Sequence, residues 1–121
     1  MRTAIASQSS VASAPIDRHF GKCDSFFIFD DESGRIETIE NPGKRLKSCP
    51  GGVIVDKLVQ LKVNRVIAGD FGTNVQQILN NRRIQMVIHP DTRITVGEIL
   101  GQLSAASGKH VRKKTYKTYK P

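Results

Sequence analysis

Apolar residues follow two periods along this chain, and the change from one to the other lays out its elements. Thr3 to Ser7 is a short, mostly apolar run that reads as a buried strand. Phe26-Phe27-Ile28-Phe29 has high β-propensity and is stopped by Asp30-Asp31. Arg35 to Glu40 alternates, as a strand with one exposed face does, and Glu32-Ser33-Gly34 supplies a turn with Gly34 suited to positive φ. These two strands are expected to form an antiparallel hairpin, broken by Asn41-Pro42-Gly43.

From Val53 the period becomes helical. Ile54, Val55, Leu58 and Leu61 share one face, with Asp56, Lys57 and Gln60 on the other. Arg65 to Gly69 reads as a buried strand, ending in the loop Gly69-Asp70-Phe71-Gly72. Thr73 is placed to cap a second helix with Val75, Ile78 and Leu79 inward, and Arg82 and Arg83 suit its negative pole. Ile84 to Ile88 reads as another buried strand, ending at His89-Pro90. A third helix is signalled most strongly: Thr95 with Glu98 forms a capping box, Ile94 with Ile99 a hydrophobic staple. Val96, Ile99, Leu100 and Leu103 then follow on one face, and Gly108 is a natural stop.

The order β, β, β, α, β, α, β, α predicts an α/β domain with parallel strands in its second half and one antiparallel strand from the hairpin. In such sheets ligands bind outside the carboxyl ends of the strands, near the switch in strand order. The loops Ser7 to Cys23 and Gly69 to Thr73, and the segment from His89, are expected there.

The stretch Cys49-Pro50-Gly51-Gly52 opens the first helix. Proline suits the first helical position, which makes Cys49 the expected N-cap and leaves Gly51 and Gly52 as bare backbone in the first turn. Free N–H groups and the helix dipole favour an anion there and would raise the thiolate character of a neighbouring cysteine. The plainer alternative is a Pro-Gly-Gly loop that merely enters a helix.

Length and composition fit one soluble domain with an aliphatic core, and no apolar run approaches the length of a membrane span. With no secretory segment, a cytoplasmic protein is expected. The net charge of +8 is unevenly placed. Lys109, Arg112, Lys113, Lys114, Lys117 and Lys120 lie in residues 109–121 without an acid, which leaves 13 basic against 11 acidic residues for 1–108. The division expected is a single domain over 1–108 and a basic, flexible tail over 109–121. With Tyr116 and Tyr119 interleaved, that tail is suited to nucleic acid, an acidic partner or an anionic surface, or is simply solvated.

The two cysteines, Cys23 and Cys49, are too few for a secreted disulfide framework and form no CxxC pair. They stand open as free thiols, a redox pair or soft metal ligands, with a small buried filler as the plainer alternative for Cys23. His19, in a Gly-bounded loop, is a candidate ligand for molybdenum, iron or copper. Arg18, Lys22, Lys44, Arg45 and Lys47 flank these loops with positive charge. The acids Asp24, Asp30, Asp56 and Asp70 are spread over different elements, which argues against two-metal nuclease chemistry. There is no GxxxxGK[ST] or GxGxxG phosphate motif, and no nucleophile has a base beside it.

Taken together, several of these segments resemble the dinitrogenase iron–molybdenum cofactor biosynthesis family, which includes NifX-type carriers, the C-terminal domain of NifB and the molybdenum–copper orange protein. They are Met1 to Ser7, Asp17-Arg18-His19-Phe20-Gly21-Lys22 followed by Phe26 to Phe29, Glu40-Asn41-Pro42, Cys49-Pro50-Gly51-Gly52, Val66 to Gly72 and Thr95 to Leu100. The likeness spans about residues 1–103. It implies a three-layer, ribonuclease-H-like fold with a five-stranded mixed sheet. It further implies that the protein binds or carries an anionic metal–sulfur cluster (iron–molybdenum cofactor precursor, or a molybdenum, copper or iron sulfide) between donor and recipient proteins, rather than turning over a substrate. On that resemblance His19 is a metal ligand, with Cys49 and Cys23 as further metal ligands, and Gly51, Gly52, Gly69, Gly72, Arg18 and Lys22 contact the cluster. Cys23, Cys49 and the basic tail depart from the family pattern.

Overall fold

The computed structural model describes residues 1–46 and 50–107. Cys49, Lys47 and the tail from Gly108 therefore lie outside the described residues, as do the readings that rest on them. The elements are β1 (Arg2–Ser7), β2 (Ser25–Asp30), β3 (Ile36–Glu40), α1 (Pro50–Gln60), β4 (Arg65–Ala68), α2 (Thr73–Asn81), β5 (Gln85–Ile88) and α3 (Val96–Ser107). The strands form one five-stranded sheet in the order β3-β2-β1-β4-β5. β1 pairs with β4 and β4 with β5 in parallel, whereas β2 is antiparallel to both β1 and β3. Hence β2 alone runs against the other four, the mixed sheet that the element order predicts. None of the described helices is long and apolar enough to cross a membrane.

The period-2 alternation of the strands sorts their side chains into two cores. Ala4, Ala6, Phe26, Ile28, Val66 and Ala68 face α1 and α2, packing with Ile54, Val55, Leu58 and Leu79. Ile5, Phe27, Phe29 and Ile67 face α3, packing with Val96, Ile99 and Leu100. Because both faces are covered, β1 and β2 read as near-continuous apolar runs rather than as alternating ones. Burial of this kind contributes about 25 cal/mol per Å² of apolar surface.

Two local readings differ from expectation. β5 is an edge strand and not a buried one: Gln85 and Ile88 are exposed, Ile88 at 59%, because only β4 flanks it. α2 is capped by Gly72, in extended conformation at φ −61° and ψ 154°, and Thr73 is its first helical residue. The capping box of α3 forms as expected: Glu98 N–H donates to Thr95 Oγ1 at 3.1 Å and Thr95 N–H to Glu98 Oε1 at 3.3 Å.

The strand order reverses between β1 and β4, since the chain leaves β1 on one side for β2 and returns on the other for β4. At one edge of the sheet this brings together the ends of β1, β3, β4 and β5 and the start of β2. That edge carries the candidate site.

Candidate functional site at the β1–β4 switch

The segment Asp17–Phe20 is clamped across the ends of β1 and β4. Asp17 N–H donates to Ala6 O at 2.8 Å, Gly69 N–H donates to Asp17 O at 3.0 Å, and Phe20 N–H donates to Asp70 O at 3.4 Å. His19 pairs with Asp70 in a short parallel bridge. Its own N–H donates to Asp17 Oδ1 at 2.9 Å, closing a tight turn. Successive residues of an extended segment point to opposite sides, and Phe20 points inward. Its ring lies 5.3 Å from that of Phe26 and 5.4 Å from that of Phe71. His19 is consequently exposed, on backbone fixed from three directions.

Gly69 makes this clamp possible. A Cβ at this position would lie 2.8 Å from Arg18 Cα and 2.7 Å from Thr92 Cγ2. The β1–β2 loop and the turn after β5 thus meet over a single glycine.

The helix starts at this edge are not equivalent. The first N–H groups of α3 are already taken: Val96 donates to Ala14 O at 3.0 Å and Gly97 to Ala12 O at 2.8 Å. α2, by contrast, has no side-chain cap at Gly72. α1 starts beside it, for a Cβ at Gly51 would fall 2.9 Å from Val75 Cγ2. Among the described residues, nothing lies within 4 Å of a Cβ built at Gly52 or Gly72, so both glycines leave backbone approachable. The start of α2, without a side-chain cap, beside the start of α1 places backbone N–H groups and the positive ends of two helix dipoles at this edge.

The flanking charges divide in a similar way. Lys44 pairs with Asp24, and that ammonium, with the Ser25 hydroxyl, holds the Asp24 carboxyl below its usual range. Arg45 lies 3.7 Å from Glu40. These five residues border two adjoining clefts of about 480 and 270 Å³ beside β3, not beside His19. Arg18 and Lys22 are exposed and form no ion pair among the described residues. The carboxylates of Asp17 and Asp70 are turned back to the N–H groups of His19 and Phe71.

Cys23 is not brought to the surface with His19. It is fully buried in the core that holds Phe20 and Phe26. Asn41 Nδ2 donates to Cys23 O at 2.9 Å and approaches Cys23 Sγ at 3.7 Å. Burial pushes the thiol up to about 12, with the Asp17 and Asp24 charges adding to the effect. A neutral, packed thiol is a poor ligand and a poor nucleophile. In the folded protein Cys23 is expected to resist a thiol reagent at pH 8 and to react on unfolding. Because the folded pKa lies above the unfolded one, its contribution to stability is complete below about pH 9 and is lost as pH rises towards 12, by up to about 1.4 kcal/mol per unit. Urea titrations between pH 8 and 11 check this: Cys23→Ala should lose less stability over that range than the natural protein.

Of the four acids weighed for metal chemistry, Asp56 pairs with Arg82 at 3.0 Å and Asp30 meets Arg2 at 3.5 Å at the opposite end of the sheet. Among the described residues no three His, Cys, Asp or Glu side chains converge as a cage for a bare cation. Along this edge lie backbone N–H groups of helix starts and the exposed Arg18, Lys22 and His19, residue types suited to a polyanion.

The profile of the dinitrogenase iron–molybdenum cofactor family matches residues 1–106. The chain belongs to this family. Its fold is similar to that of a NifB-like protein of Thermotoga solved by NMR, at 27% identity over 88% of this chain and 89% of the other, with a TM-score of 0.72. The orange protein of Desulfovibrio gigas, in its apo form, has the same fold at 18% identity, with a TM-score of 0.75 over 88% of each chain. A dinitrogenase-type protein of Methanocaldococcus jannaschii follows at 15% identity and a TM-score of 0.56, over 89% of this chain and 88% of the other. Among curated proteins none matches the sequence. Membership of the iron–molybdenum cofactor family associates the chain with biosynthesis or handling of that cofactor and with metal-cluster chemistry.

Proposed function

We propose that this protein binds an anionic metal–sulfur cluster at the β1–β4 switch and carries it between a donor and a recipient protein of metallocofactor assembly. The observation that carries this reading is an exposed, backbone-clamped His19 beside Arg18 and Lys22, which form no ion pair among the described residues, at the edge where α2 starts without a side-chain cap next to the start of α1. In this reading Gly51, Gly52 and Gly72 give the cluster access to backbone N–H groups. Gly69 holds Arg18 and His19 in place, and Arg18 and Lys22 neutralise charge. His19 supplies an imidazole ligand, with Cys49 as a second, softer one. Cluster binding through few covalent bonds and many weak electrostatic ones suits a carrier, which must also let go. The interactions described are those of binding and release rather than of a chemical step.

The test is uptake of tetrathiomolybdate, or of iron with sulfide, by protein purified without oxygen. Stoichiometric uptake with a sulfur-to-metal charge-transfer band is expected. His19→Ala should abolish or shift the band, and Arg18→Glu with Lys22→Glu should weaken binding by at least about tenfold, each with an unchanged melting temperature. Absence of uptake by the natural chain would reject the reading. Uptake that persists unchanged in both variants would reject the site.

A further inference from the structure

His89 ends β5 at the same edge, yet its ring is held differently from that of His19. Its backbone N–H donates to Ala68 O at 2.9 Å, which continues the β4–β5 pairing to the last residue before Gly69. The turn it opens is the one whose Thr92 meets Arg18 over Gly69. His89 therefore opens the turn that packs towards Arg18, at the sheet edge that also carries His19. Its ring Nδ1 accepts a hydrogen bond from Asp91 N–H at 3.1 Å. A neutral imidazole carries one proton, so a ring that accepts at Nδ1 carries it on Nε2. In that tautomer Nε2 has no lone pair for a metal, and presents an N–H donor instead. Asp91 Oδ1 accepts from Arg93 N–H at 2.9 Å and from Arg93 Nε at 3.3 Å, and among the described residues no hydrogen bond joins the Asp91 carboxylate to His89 Nε2. The ring of His19 makes no hydrogen bond among the described residues and keeps a free nitrogen for coordination.

We propose that the two histidines divide the work at this site: His19 coordinates metal, and His89 donates its Nε2–H to a sulfide or oxide atom of the bound anion. This rests on the cluster-binding reading above and names a second recognition residue within it. A donor of this kind would select for an anion with a surface acceptor atom, and would do so without adding a bond that has to break on release.

The test exploits the geometry of the amides. An asparagine at position 89 can reproduce the Nδ1 acceptor towards Asp91 but lacks the distal donor, whereas a glutamine supplies the distal donor. Tetrathiomolybdate titrations of His89→Asn, His89→Gln and the natural protein, with melting temperatures measured in parallel, separate the two roles. The expected result is binding by His89→Gln close to that of the natural protein. His89→Asn should bind at least about tenfold more weakly, with its charge-transfer band unmoved because no ligand has been lost. Nitrogen-15 NMR of the free protein should show the Nε2–H tautomer at His89. A purely structural role for the ring predicts the reverse order of the two variants, and that order would overturn the proposal. So would a band that shifts in His89→Asn as it does in His19→Ala, or an Nδ1–H tautomer. If the natural protein takes up neither thiomolybdate nor iron with sulfide, the cluster reading falls and this proposal with it. If it binds and His89→Asn binds equally well, this proposal alone falls.

Discussion

Replacing Phe20 with alanine is expected to cost about 3–5 kcal/mol of stability and to abolish anion retention although His19 is still present. The ring is 1% exposed and packs between Phe26 and Phe71, with tilted contacts of 5.3 and 5.4 Å. Its neighbours from Asp17 to Lys22 are all half-buried or exposed, so Phe20 is the one side chain that anchors this stretch to the core. The backbone tie at the same residue, Phe20 N–H to Asp70 O, is 3.4 Å long and weak by itself. Without the ring, the parallel bridge between His19 and Asp70 has little to hold it, and the imidazole no longer has a fixed position. Denaturant unfolding gives the stability loss. Hydrogen exchange at the Phe20 and Gly69 amides shows whether the segment has come free, and a thiomolybdate titration shows whether binding goes with it. Phe20→Leu, which refills most of the volume, should recover much of the stability. A loss under about 1 kcal/mol for the alanine variant would mean that the bridge, rather than the ring, does the anchoring.

Much of this architecture is legible in the sequence because local and global preferences agree. The β1 and β2 runs are apolar on both faces, the box from Thr95 to Glu98 forms, and Gly34 takes φ +74° in the hairpin turn. The readings that failed depend on order in space. Gln85-Met86-Val87-Ile88 has the same composition whether it is central or at an edge, and only the strand order tells that it is an edge. Cys23 follows Gly21-Lys22, which leaves a ligand thiol and a small buried filler both open, and the fold packs it into the core that holds Phe20 and Phe26. Asn41, 18 residues away, braces that stretch, its amide reaching both Gly21 O and Cys23 O. Thr73 reads as the cap of α2, but Gly72 before it takes the extended conformation and Thr73 becomes the first helical residue. At the site, the histidine and the glycines are visible as motifs, but their reasons are not. His19 is held by Asp70, and Gly69 is small because Arg18 lies against it. The ring orientation of His89, set by Asp91, has no signature in spacing at all.

The Gly69 contact leads to the second large effect. Gly69→Ala is expected to destabilise the domain by about 1–3 kcal/mol, as overpacking does when the obstacle cannot move aside. One of the two atoms in the way is backbone, Arg18 Cα at 2.8 Å, and Arg18 is tied on either side by the hydrogen bonds of Asp17 and Phe20 to Gly69 and Asp70, just past β4. The other, Thr92 Cγ2 at 2.7 Å, belongs to the turn that carries His89. A methyl group here must push Arg18 and His19 away from the β4 end, or the 89–92 turn away from Arg18. Either movement separates the groups assigned to the anion, so binding should fall together with stability. Gly52→Ala is the matched control. Among the described residues a Cβ there meets nothing within 4 Å, and within α1 an alanine gains up to about 1 kcal/mol of helix propensity. The two substitutions add the same methyl group to glycines of the same edge and should move the unfolding midpoint in opposite directions. If Gly69→Ala were to melt like the natural protein and retain the anion, the β1–β2 loop would have to be softer than its hydrogen bonds imply. His19 would then reach its ligand through motion and not through a position fixed in advance.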